Sequence, residues 1–173
     1  MSEDGTTARL VATDVDITAP HASPTFVGKR QRLLTGQSSV VLPALTPDIL
    51  TAWSTARLKC GLAVFKDEHR YTRIFVDASG DKPGIVFELV NNAQKISRTS
   101  RHDLPEGSNT LSLRIAYTEQ EYRLEYAHSG TWTLLDTVDT LQLTDPDFVG
   151  PVVGVFATST RRVDVQLTSL SID

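Results

Sequence analysis

The feature that most constrains this chain is apolar alternation with a period of two, repeated in run after run. Leu58, Cys60, Leu62 and Val64 share one side of a run, with Arg57, Lys59, Gly61 and Ala63 between them. Leu111, Leu113, Ile115 and Tyr117 alternate with Ser112, Arg114, Ala116 and Thr118. Tyr122, Leu124 and Tyr126 alternate with Arg123, Glu125 and Ala127, and Val163, Val165 and Leu167 with Asp164, Gln166 and Thr168. Successive side chains of a strand point to opposite faces, so these runs read as strands with one face on a core and one in water. A helical stripe is lacking, apart from one turn near Pro47-Asp48-Ile49-Leu50.

The connections suit hairpins. Glu119-Gln120 lies between two alternating runs, and His128-Ser129-Gly130-Thr131 separates Tyr126 from Trp132. Ser-Gly signals a turn because glycine accepts positive φ without steric cost. Ala78-Ser79-Gly80-Asp81 ends the strand that starts at Tyr71. About ten to thirteen short strands at this spacing predict an all-β, two-sheet antiparallel β-sandwich with almost no helix. Thr18-Ala19-Pro20-His21-Ala22-Ser23-Pro24-Thr25 carries two prolines without periodicity and reads as an extended loop.

A chain of 173 residues has room for one such domain. Residues 1–17 read as a polar lead-in with a first strand, and 18–173 as the sandwich. The net charge of -4 argues against a nucleic-acid partner, which needs a basic patch to neutralise phosphates. No polybasic run or long apolar stretch suggests a membrane. Met1-Ser2-Glu3-Asp4-Gly5 has neither the positive start nor the apolar stretch of a secretory signal. A cytoplasmic location is therefore expected, or a secreted one for a piece of a longer protein. Cys60, the lone cysteine, excludes an intrachain disulfide and reads as a small buried hydrophobe.

Glycoside hydrolysis needs two carboxylates flanking the scissile bond. Asp77, Glu88, Glu121, Glu125 and Asp164 all fall on faces read as solvated, and no clustered acidic motif is present. His21, His69, His102 and His128 fall in expected loops or turns without ligand spacing, so neither a metal nor another cofactor is expected. Sugar-binding sandwiches stack pyranose rings on Trp or Tyr faces. Trp53, Tyr71, Phe75, Tyr117, Tyr122, Tyr126 and Trp132 are candidates, but aromatics on alternating strands are usually core. Trp132, alternating with Leu134, is expected to point inward. Tyr71 with Arg73 is the exception kept as a sugar-stacking or polar-contact candidate.

Four segments, in order, carry a resemblance. These are Phe26-Val27-Gly28-Lys29-Arg30-Gln31; Cys60-Gly61-Leu62 with the downstream Tyr71; Leu113-Arg114-Ile115 through Tyr122, Tyr126, Ser129-Gly130 and Trp132; and Phe148-Val149-Gly150 through Val153-Gly154-Val155-Phe156-Ala157-Thr158. Together they resemble the C-terminal concanavalin A-like accessory domain of family 43 glycoside hydrolases, of the β-xylosidase and arabinofuranosidase type. His128-Ser129-Gly130 stands where that family has an Asp-Gly turn, and Lys29 where it has arginine. The resemblance implies a domain without catalytic residues of its own, packing on a catalytic propeller in cis or in trans. It also implies that a loop of the sandwich reaches the rim of the substrate pocket. The matching positions are Thr25 and Phe26, with Lys29 and Arg30 continuing that edge. The other readings are a free carbohydrate-binding module or lectin taking xylo- or arabino-oligosaccharides, and a hydrolase, which lacks an acidic pair.

Overall fold

The computed structural model describes residues 6–16, 25–31, 35–91, 96–105, 110–143 and 150–172. Most of the proline-bearing loop expected at 18–25, including His21, lies outside them, as do Phe148 and Val149. Among the described residues, twelve strands form two six-stranded sheets. One sheet contains β1 (Thr6–Ala12), β12 (Val163–Ser171), β3 (Gly36–Val41), β8 (Leu111–Tyr117), β9 (Glu121–His128) and β10 (Thr131–Asp139), in that spatial order. The other runs β2 (Thr25–Arg30), β11 (Val152–Thr158), β4 (Lys59–Asp67), β5 (Arg70–Asp77), β6 (Gly84–Asn91) and β7 (Arg98–Asp103). All paired neighbours are antiparallel. This is the expected β-sandwich.

The core lies between the sheets, where the alternating sets meet. Leu62 and Val64 of β4, Ile74 and Val76 of β5, and Leu113 and Ile115 of β8 are all fully buried. Burying an aliphatic side chain contributes roughly 1.5–3 kcal/mol, so these positions dominate the stability of the fold. Across the core, β1 packs against β2 and β11, while β10 packs against β6 and β7. The edge strands β2 and β10 therefore sit at opposite ends of the sandwich and on different sheets.

The expected single helical turn is a nine-residue helix, α1 (Pro47–Thr55). Thr46 caps it, its hydroxyl accepting from the Ile49 amide at 3.3 Å, and Pro47 supplies the pre-set φ of a first helical residue. Trp53 anchors α1 in the core at 4% exposure. The helix stops at Arg57, which takes a φ of 52°.

Two expected placements are corrected here. His102 lies within β7 and His128 ends β9, so neither is in a loop. Glu88 and Glu125 are not solvated: both are buried and held by arginines. β6 carries a second apolar layer on its outer face, and Arg114 and Arg123 bind Glu125 on β9, neither of which alternation alone reveals.

Candidate functional site

The outer face of the β2–β7 sheet carries a second apolar layer. Ala63, Phe75, Val86 and Phe156 are buried there, with Phe26 and Phe65 packed against them. Phe75 and Phe156 meet edge-on, ring centres 5.8 Å apart, above Gly61, their shared register partner. A Cβ on Gly61 would lie 2.1 Å from the Ile74 carbonyl oxygen and 2.5 Å from the Phe75 Cα. Glycine is thus what allows the β5 backbone to come this close to β4 beneath the two rings.

Arg73 stands in the middle of this layer at 3% exposure. Its guanidinium carbon is 4.7 Å from the centre of the Phe75 ring, 5.3 Å from Phe156 and 5.6 Å from Tyr71. Nε and Nη2 both reach Glu88 Oε2 at 2.6 Å, and Nη1 donates to Asp16 Oδ1 at 2.8 Å. Burial works against the guanidinium charge, but the two carboxylates outweigh it and hold the Arg73 pKa above its ordinary value. Both carboxylates are committed to this arginine.

Tyr71, the sugar-stacking candidate, is 4% exposed and lies beside Phe65 with ring centres 6.3 Å apart. Burial pushes its phenol up to about 12, with the Arg73 charge opposing and Glu88 and Asp16 reinforcing. The structure thus joins Tyr71 and Arg73 in one buried cluster.

The second candidate group lies along β2. Among the described residues, this edge strand pairs only with β11. Its close approach depends on facing glycines, since a Cβ on Gly154 would sit 2.3 Å from the Val27 carbonyl oxygen. Thr25 donates its hydroxyl to the Val11 carbonyl at 2.6 Å. Phe26 is half-buried, its ring centre 6.0 Å from that of Phe65. Val27 is 54% exposed. Lys29 is exposed, and Arg30 donates from the strand end to the Gly150 carbonyl at 2.8 Å. Phe26 connects the two groups, because Phe65 also touches Tyr71. Phe26, Tyr71 and Arg73 are therefore parts of one sheet face, whereas Thr25 points to the opposite face, toward β1, and Lys29 and Arg30 lie at the end of the strand.

A third surface was not anticipated. Trp132, expected inside, is 37% exposed, and Leu134 is 42% exposed. Both lie on the solvent face of the other sheet, because β10 pairs Trp132 with Ala127 and Leu134 with Glu125. Arg114 places its guanidinium 4.0 Å from the Trp132 ring centre and binds Glu125 Oε2 through Nε at 2.7 Å and Nη2 at 2.6 Å.

Three comparisons with known proteins bear on this arrangement. Residues 2–166 match the family model described as "Beta xylosidase C-terminal Concanavalin A-like domain". No curated protein gives a significant match. Among solved structures, a Bacteroides ovatus protein described as "Xyloglucan PUL GH43B" superposes with a TM-score of 0.74 at 20% identity, covering 99% of this chain and 34% of that one. A xylan β-1,4-xylosidase from Bacillus halodurans gives 0.76 at 16% identity, covering 94% of this chain and 31% of that one. A functionally unknown protein from Saccharomyces cerevisiae gives 0.64 at 12% identity, covering 99% of this chain and 89% of that one. The chain thus spans about a third of the length of the two enzymes. With twelve strands in two antiparallel sheets and a family match over nearly its whole length, the chain belongs to the C-terminal concanavalin A-like domain family of β-xylosidases.

Proposed function

We propose that this chain is a non-catalytic accessory module of a xylan- or arabinan-active family 43 glycoside hydrolase. It packs on a catalytic propeller, in cis or in trans, and helps shape that propeller's substrate pocket. The observation that carries this reading is coverage: the chain matches a family defined as a C-terminal domain and spans only 34% and 31% of the enzymes it resembles. The remaining two thirds of such an enzyme supply the chemistry.

Physical reasoning points to β2 as the docking edge. An edge strand presents unpaired backbone groups, which a partner can cover. Here it also offers an exposed Val27, a half-buried Phe26, and the cations Lys29 and Arg30 at its end. Aromatics and arginines beside an apolar patch are the usual anchors of protein interfaces. Glu88 and Asp16, the two acids beside this face, both bind Arg73, whereas glycoside hydrolysis requires two carboxylates facing the scissile bond.

The test is hydrolysis of aryl β-xylosides and arabinofuranosides by the chain alone and by Glu88→Gln and Glu121→Gln variants. The expected result is no turnover above a buffer blank. Turnover that disappears in one variant would overturn the non-catalytic reading.

A further inference from the structure

We propose that the solvent face of β8, β9 and β10 is a binding site for a neutral oligosaccharide, with Trp132 as its stacking platform. The site itself stands on this sheet alone. The choice of xylan- and arabinan-derived probes rests on the function proposed above.

The first argument is rigidity. Isolated apolar residues on a protein surface need no explanation, but Trp132 is held in place. The Arg114 guanidinium lies 4.0 Å from its ring centre. That guanidinium is itself fixed on Glu125, whose side chain is 8% exposed. Arg123 reaches the other oxygen of Glu125, with Nε 3.5 Å from Oε1. Ala127, the register partner of Trp132, is only 5% exposed and leaves room for the indole to lie across β9. A platform held this way loses little conformational entropy when a ligand arrives.

The second argument is chemical class. Arg114 and Arg123 are matched by Glu125 and by Glu121, whose Oε1 is 3.8 Å from Arg123 Nη1. Two cations and two carboxylates nearly balance, with Asp139 opposite Glu121 at the far end of β10 adding a negative charge, so an ionic partner gains little near the indole. A sugar ring has a C–H face that stacks on an indole, and hydroxyls that both donate and accept. The patch offers an open indole beside the Arg114 guanidinium, with the exposed Arg123 and Glu121 further along β9. Leu134, 42% exposed, extends the apolar strip along β10.

The third argument is placement. β10 ends one sheet and β2 lies at the far end of the other. A propeller docked on β2 leaves the Trp132 face open, so the module can hold a polysaccharide on one side and its enzyme on the other.

The test is an NMR titration of the full chain with xylohexaose and with α-1,5-arabinohexaose. Wild-type protein is expected to show saturable shifts centred on β8–β10 and on the Trp132 indole N–H. Trp132→Ala should weaken binding at least about tenfold while its melting transition stays cooperative, and Trp132→Tyr should keep part of the affinity. Should Trp132→Ala fail to fold, Leu134→Asn serves instead and should weaken binding severalfold. No saturation by low millimolar sugar, binding indifferent to these substitutions, or shifts confined to β2 would each overturn the proposal. So would the finding that Trp132→Ala weakens association with a propeller rather than with sugar, because the face would then be a protein interface. Loss of sugar binding with propeller association intact would leave the accessory-module reading standing.

Discussion

Trp132 stands directly opposite Ala127 in the β9–β10 hairpin, and that pairing decides which side of the sandwich the indole occupies. It lies on the solvent face, with 37% of its surface open. Trp132→Ala should therefore cost only about 1–2 kcal/mol, chiefly the contact with Arg114. Trp53, at 4% exposure, should cost about 3–5 kcal/mol when replaced by alanine. Chemical denaturation of the two variants makes the comparison, and equal losses would contradict the assignment of faces.

Arg73 and Glu88 form a buried pair, and removing the arginine leaves the Glu88 carboxylate buried without its cation. Arg73→Met should destabilise the domain by about 3–5 kcal/mol. Arg73→Met combined with Glu88→Leu should recover part of that loss, because the more deeply buried of its two carboxylate partners goes too. A double-mutant cycle in urea measures it, and additive losses would show that the pair is not coupled.

Gly61 lies beneath the Phe75 and Phe156 rings, with backbone 2.1 Å from where its Cβ would fall. Gly61→Ala should destabilise by about 1–3 kcal/mol despite alanine's better fit to a strand. Thermal melting of this variant beside Gly80→Ala, where nothing lies closer than 3.7 Å, separates crowding from backbone entropy. Equal midpoints would refute the packing argument.

Alkali should unfold the protein through its buried phenols and thiol. Burial pushes Tyr71 and Tyr122 up to about 12 from 10.0, and Cys60 up to about 12 from 9.0. The unfolded chain loses these protons first as pH rises. The associated stability is therefore complete below pH 9 to 10 and is lost towards pH 12. Absorbance of tyrosinate at 295 nm should show some of the four tyrosines titrating only together with loss of the fold. Smooth titration of all four near pH 10 in a folded chain would contradict this.

The sandwich was legible in the sequence because strands with one wet face write their alternation plainly, as Leu111 to Tyr117 and Val163 to Leu167 do. The orientation of Trp132 was legible too, by a longer route. Ser129 and Gly130 both take positive φ, at 57° and 85°, which makes a two-residue turn pairing His128 with Thr131. Counting outward pairs Ala127 with Trp132, so the tryptophan shares the face of Ala127 and not that of Tyr126. Assigning β10 by its own apolar pattern failed because an edge strand can carry apolar residues on its open face. The buried state of Glu88 was not legible, since it depends on Arg73 and on Asp16, which is 57 residues from Arg73 in the chain. Alternation marks a side chain as facing away from the core, and says nothing of a second layer that covers it.

The central claim is that this domain serves a catalytic propeller through its β2 edge. The most direct measurement is calorimetric titration of the chain, wild type and Phe26→Ala, into a family 43 propeller lacking its own sandwich. Saturable association, weakened in Phe26→Ala while the variant's unfolding free energy stays within about 1 kcal/mol of wild type, is the predicted result. A Phe26→Ala variant that loses several kcal/mol of stability, with association absent or unchanged, would contradict it.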